Sequence, residues 1–199
     1  MNVQQEGVLE LLTIKDEGLS CLDVDSVSPY LSIGMAKRGV HTHVRNFDKE
    51  ILRRIDKQSK LIGISNMITL GYDVSKSYDY ILLRQCLGNI DDLCCYYQQL
   101  ASNGVLLLSI KESAFGLAKI TRLLKKSGLA DIQVYLSFGD RSKPAFIIPK
   151  VGFYKYYYRY WSWKKLKIFQ WPEKLLEYFF IYKLRQLWLV SSCVILIKK

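Results

Sequence analysis

Short apolar runs alternate with amphipathic stretches along most of this 199-residue chain, and the period of the apolar positions switches between two and about 3.6. The first run, 19–24, predicts a strand, and the stretch 29–38 behind it predicts a helix stopped at Gly39. Val40 to Arg45 alternates as a second strand. Asp48 is placed to cap a helix whose apolar positions are Ile51, Leu52 and Ile55. Leu61 to Ile64 reads as a short third strand and Tyr78 to Leu83 as a stronger fourth, followed by a helix over 91–101. Asn103-Gly104 then turns the chain into Val105 to Ile110, an apolar run suited to a fully covered strand. A helix over 114–127 ends at Gly128, and Ile132 to Ser137 forms the next strand.

From Ala145 the rhythm changes. Phe146, Ile147 and Ile148 lead to Pro149, and a stretch dense in Tyr, Trp and Lys begins. Pro172 suits the first turn of a helix over 172–188, and Ser192 to Ile197 is apolar enough to be a closing edge strand. Alternating strands and helices predict an α/β protein with a doubly wound, mostly parallel sheet. The expected organisation is an α/β domain over 1–149, a helical aromatic and basic insertion over 150–190, and a last strand over 191–199 that returns to the sheet.

Charge sharpens this division. The chain carries a formal net charge of +11, of which +8 falls from residue 151 onward, together with 15 of the 26 aromatic residues. Arg159, Trp161, Trp163, Lys164, Lys165 and Lys167 form the densest part. Trp and Tyr favour the headgroup level of a bilayer and Lys can bury its stem while its amine stays wet, so an anionic membrane surface is the expected partner. Single-stranded nucleic acid, which stacks on aromatics and neutralises Lys, is the competing reading, and cover for the sheet or a dimer interface is the third.

Five cysteines, an odd number with no CxxC, do not make a disulfide framework, which points to a reducing cytoplasmic compartment. The start MNVQQEG has neither the basic nor the apolar region of a signal peptide. No apolar run reaches the about 20 residues that span a bilayer. His41 and His43 share one strand face but have no Cys or carboxylate at ligand spacing, so no metal is expected. The neighbours Cys94 and Cys95 are expected to pack a helix against the sheet, and Asp91 and Asp92 to cap its start.

Several stretches taken in order resemble the class I S-adenosylmethionine-dependent methyltransferases: LDVDSVSPYLSIGMAKRG at 22–39, VRNFDKEIL at 44–52, YDYILLRQCLGNIDD at 78–92, LASNGVLLLSI at 100–110 and LLKKSGLADIQVY at 123–135. The resemblance covers about 15–149 and implies a Rossmann-like methyltransferase fold with S-adenosylmethionine as cofactor. A looser likeness, SKPAFIIP at 142–149, is to methyltransferase-like proteins of glycan and lipid pathways.

The resemblance implies cofactor contacts at Asp23, Asp25, Ser26 and Ser28 in the first turn. It also implies contacts at Asn46 after the second strand, Asn66 after the third and Gln85 after the fourth. No catalytic base can be named. Asp25, Val27 and Pro29 stand where the family has glycines, and Asn46 and Asn66 stand where it has acids. Each change removes close backbone approach or a charge-assisted bond. Two functions therefore follow. One is a membrane-peripheral methyltransferase acting on a small-molecule, glycan or lipid-linked acceptor. The other is an inactive pseudo-methyltransferase that serves a partner enzyme or a homodimer; an RNA-binding relative is the third reading.

Overall fold

A computed structural model describes residues 9–12, 14, 18–25, 29–71, 73, 75–84, 90–110, 114–129, 131–138, 146–149 and 190–199. Eight strands form one sheet in the order β3-β2-β1-β4-β5-β8-β6-β7. They are β1 Ser20–Val24, β2 His41–Arg45, β3 Ile68–Leu70, β4 Tyr78–Arg84, β5 Leu100–Ile110, β6 Ile132–Phe138, β7 Phe146–Pro149 and β8 Val190–Lys198. The first five run parallel, β8 runs antiparallel to both β5 and β6, and β7 is antiparallel to β6. This is the doubly wound, mostly parallel sheet that the alternation of elements predicts.

Both faces are covered, which is why the central strands are almost continuously apolar. Helix α1, Tyr30–Ala36, buries Leu31 and Met35 against Cys21, Tyr80, Leu82 and Leu107. Helices α3, Ile90–Gln98, and α4, Ala114–Lys126, bury Leu93, Tyr96 and Leu124 on the other face, against Leu22, Val24, Ile81 and Leu106. Leu9 and Leu12, ahead of the sheet, also bury on the α1 side. Gly34 makes room for them, since a Cβ there would stand 2.3 Å from Leu9 Cδ1.

Three sequence expectations are corrected. Leu61 to Ile64 is not a strand. Helix α2, Lys49–Leu61, continues to its C-cap Ile62 and stops at Gly63, whose φ is +73. The Gly63 N–H donates to Lys60 O at 3.3 Å and the Ile64 N–H to Ser59 O at 3.0 Å, closing the helix with a left-handed glycine. Leu61 and Ile62 are 75% and 44% exposed, so the apolar run that imitated a buried strand lies largely in solvent. The true third strand, β3, is a three-residue edge with little burial to mark it.

The last strand is not an edge. β8 lies between β5 and β6, and its buried Val194 to Ile197 are covered on both faces. The helix expected over 91–101 ends at Gln98, because Leu100 already pairs with Tyr78 in the sheet. The Asn103-Gly104 turn is then an irregularity inside β5, where the ladder passes from Tyr78↔Leu100 to Tyr80↔Val105.

Two contacts hold the β1–β4–β5 centre in register. The Ser20 N–H and Oγ both donate to Asp79 Oδ2, at 2.8 and 2.9 Å, and the Asp79 N–H returns a bond to Ser20 Oγ at 3.3 Å. A Cβ on Gly104 would meet Ala101 O at 2.9 Å and Asp79 O at 3.2 Å, so the strands approach there only without a side chain. Asp79→Ala is expected to lower stability by about 1–3 kcal/mol, since it removes bonds to a charged acceptor. Gly104→Ala should cost about 1–3 kcal/mol through forced displacement of backbone. Each should lower the melting temperature by several degrees, read by circular dichroism against the parent chain.

Candidate functional site

In a doubly wound sheet, ligands settle in the crevice outside the carboxyl ends of the strands where the strand order reverses. Here that point lies between β1 and β4, because the chain runs outward through β2 and β3 on one side and through β5 on the other. The residues at this end are Val24 and Asp25 from β1, Arg45 to Phe47 from β2, and Leu70 and Gly71 from β3. Gly71 is fixed there by its N–H, which donates to Val44 O at 2.9 Å.

Asp23 is fully buried under the first turn of α1, where the Ser32 hydroxyl donates to its Oδ2. A buried carboxylate without bonds would be costly, so this pair both satisfies the acid and ties strand to helix. Pro29 occupies the N-cap, with φ −69 and ψ −8, and supplies no capping bond of its own. Beneath it, burial together with the Asp23 and Asp79 carboxylates pushes the Cys21 thiol well above its ordinary pKa, so Cys21 behaves as a small apolar filler.

Asp25 has a φ of +52, and its N–H donates to Arg45 O at 2.9 Å. Asp25 thus takes the left-handed backbone that glycine favours, a region aspartate tolerates better than most. Its Oδ1 is a buried atom at the carboxyl end of β1.

Asn46 follows β2, and its Oδ1 accepts the Asp48 N–H at 2.8 Å, while Asp48 in turn accepts the Glu50 N–H at 2.8 Å and caps α2. The oxygen of Asn46 is thus turned to the start of α2, which directs its amide nitrogen elsewhere. Next to it, Arg45 donates from Nη1 to the Tyr96 hydroxyl at 2.7 Å and lies 5.5 Å from the ring centroid of Phe47. Phe47 is 79% exposed, a large aromatic left in solvent at the rim of the crevice. Neither Arg45 nor Phe47 was singled out by the sequence, because no motif marks a lone cation before a lone aromatic.

The structure brings Asp23, Asp25 and Asn46 to one end of the sheet. It does not bring Asn66 there. Asn66 precedes β3, in the short 3-10 turn Ser65–Met67, while its strand runs parallel to β2 with Ile68 beside Thr42. That puts Asn66 toward the opposite end, roughly 15–20 Å from Asn46 at about 3.3 Å per strand residue. The misplaced third strand caused the error. The acidic residue beyond the true β3 is Asp73, three positions after Leu70 in Ile68-Thr69-Leu70-Gly71-Tyr72-Asp73, and the sequence alone does not single it out. Ser26, Ser28 and Gln85 lie outside the described residues, as do Arg159, Trp161, Trp163, Lys164, Lys165 and Lys167.

Asp73 Oδ1 accepts the Ser75 N–H at 3.0 Å and the Ser75 hydroxyl at 2.7 Å, and these bonds hold its carboxyl below the ordinary value. His43 faces this loop from β2, where burial and the nearby Lys76 ammonium lower its pKa. Among the described residues no group of three His, Cys, Asp or Glu side chains is arranged to hold a metal ion. Of the cysteine neighbours on α3, Cys94 is half-buried and Cys95 faces solvent, so only the first packs toward the sheet.

No protein-family model matches the sequence, and no curated protein matches it. Solved structures do. The chain is similar to precorrin-6Y C5,15-methyltransferase from Geobacter metallireducens, with a TM-score of 0.59 and 13% identity over 98% of this chain and 87% of that one. It is similar to an S-adenosylmethionine-dependent O-methyltransferase from Thermotoga maritima, with a TM-score of 0.58 and 13% identity over 98% and 64% of the two chains. A third is phosphoethanolamine N-methyltransferase 2 from Haemonchus contortus in complex with S-adenosyl-L-methionine, with a TM-score of 0.54 and 15% identity over 98% and 52%. This chain has the Rossmann-like fold of the class I S-adenosylmethionine-dependent methyltransferases.

Proposed function

We propose that this protein binds S-adenosylmethionine at the strand tips and transfers its methyl group to an oxygen or nitrogen acceptor. The single observation that carries this reading is Asp25, which keeps a left-handed turn above a buried, helix-bonded Asp23 even though the glycine is gone. Asp23 would steady the end of β1 against α1, and Asp25 would offer a carboxylate to the ammonium group of the ligand's zwitterionic amino-acid end. The amide nitrogen of Asn46 would donate to a ribose hydroxyl, and Asp73 would accept from the adenine amino group. When bound, the cofactor supplies an electrophilic methyl on a sulfonium. The contribution of the chain is then mainly orientation of the acceptor against it.

A second reading, a non-catalytic binding subunit that serves a partner enzyme, is favoured by Asn46. An amide there forgoes a charge-assisted bond of about 1.5–3 kcal/mol. Calorimetry separates the two. Under the methyltransferase reading S-adenosylmethionine binds at micromolar to sub-millimolar concentration, and Asn46→Asp tightens it by about 10-fold or more. No heat from either chain at millimolar ligand would support the binding-subunit reading instead.

The acceptor is proposed to lie at a membrane surface. No helix among the described residues is long and apolar enough to cross a bilayer, so this rests on the sequence of the insertion, which leaves the sheet after Pro149 and re-enters it at Val190. Its Trp, Tyr and Lys composition suits the headgroup level of an anionic lipid surface, which would present a small, glycan or lipid-linked acceptor. The full chain should float with vesicles containing phosphatidylserine and not with neutral vesicles. Replacing Lys164, Lys165 and Lys167 together by Gln should weaken that association severalfold. Retention by single-stranded RNA with no flotation would replace lipid by nucleic acid as the partner.

A further inference from the structure

The loop between β3 and β4 is fastened to β2 by a set of contacts that the fold alone does not require. Lys76 Nζ lies 3.2 Å from His43 Nε2 and 6.0 Å from the ring centroid of Tyr78. The His43 and Tyr78 rings meet edge to face at 5.5 Å. The Tyr78 hydroxyl donates to Asp73 O at 3.4 Å, and the Lys76 N–H donates to the same oxygen at 3.4 Å. Ser75 holds the Asp73 carboxylate from the other side. Ser75, the Tyr78 hydroxyl and the Lys76 N–H thus meet at Asp73, and Lys76 Nζ and the Tyr78 ring tie that group to His43.

We propose that His43 and Lys76 form a pH-responsive strap, in which the neutral imidazole accepts a hydrogen bond from the Lys76 ammonium and so positions Asp73 for the adenosyl ligand. The strap stands on the contacts just given; its consequence for binding rests on the ligand reading above. An ammonium can donate to Nε2 only while that nitrogen carries a lone pair. Protonation replaces the bond with two like charges at the same short distance, which repel. Lys76 is then driven off and the loop loses the anchor on which the Asp73 position depends.

The groups facing His43 decide the direction. Lys76 from the loop and His41 from the same strand oppose its protonation, as does burial, whereas Asp73 favours it. The balance lowers the pKa of His43 from its ordinary 6.5. A group depressed in the folded state contributes stability that is fully present above its unfolded value and is lost as pH falls through the folded one. The strap is therefore closed near pH 7.5 and opens below about 6.5. Asp73, whose pKa is also lowered, stays ionised across that window, so its own charge does not confuse the readout.

The test uses the full chain. In an NMR titration the His43 ring proton should move with a midpoint below 6.5, and the amides of Ser75 and Lys76 should shift with that same midpoint. S-adenosylmethionine affinity should fall at least 3-fold between pH 7.5 and 5.5. Lys76→Met should raise the His43 midpoint and flatten the pH dependence of binding. His43→Gln, which keeps an acceptor for Lys76 but cannot titrate, should bind equally at both pH values. A His43 midpoint at or above 6.5, or Ser75 and Lys76 amides that ignore it, overturns the strap. Amides that follow His43 in a chain that binds no S-adenosylmethionine at either pH support the strap and overturn only the ligand reading.

Discussion

Ser20 and Asp79 stand 59 residues apart in the chain, yet their three mutual hydrogen bonds fix how β1 meets β4. Everything at the other end of those strands follows from that register. In a parallel pair a slip of one residue turns every side chain to the opposite face. Asp23 would then leave the α1 side and its bond with Ser32, and Leu22 and Val24 would leave the apolar face under α3 and α4. The crevice beside Asp25 is thus set by an anchor at the opposite end of the two central strands, where no ligand need touch it.

The site built on this anchor has a left-handed residue, Asp25, at the tip of β1. Asp25 places an acid where a glycine would leave bare backbone. Asn46 replaces an acid with an amide whose oxygen is already committed to the Asp48 N–H. An acidic residue therefore stands at the tip of β1 and an amide at the tip of β2, with Arg45 beside it. Under the proposed function, the Asp25 carboxylate would meet the ammonium group of the ligand's amino-acid end. Binding affinity for such a ligand is therefore the most direct measurement of the proposed function.

How much of this is legible in the sequence depends on burial. β1, β4, β5 and β8 are covered on both faces, and their apolar runs announce them. Helices that end at Gly39 and Gly128 are equally plain, because a left-handed glycine follows each amphipathic stretch. Gly63 performs the same task, but it lies between Ile62 and Ile64 and reads as the interior of a strand. That misreading displaced β3 and drew attention to Asn66 instead of Asp73. A three-residue, half-exposed edge carries no periodicity to correct it. Asp23, Asp25 and Asn46 were legible because they sit next to well-marked strands. Arg45, Phe47 and the contacts around His43 were not, since they depend on which side chains meet across loops, and no spacing rule records that.

One feature of the sheet bears on how the protein is made. β8 is inserted between β5 and β6, although some fifty residues of chain separate it from β6. During synthesis at about 5–20 residues per second, the hydrogen-bonding edges of β5 and β6 must stay apart for several seconds while that intervening stretch is translated. Two strands that join prematurely would shut out the one meant to lie between them. A nascent chain of this protein is therefore a natural client for chaperones that shield exposed edges until the final strand emerges.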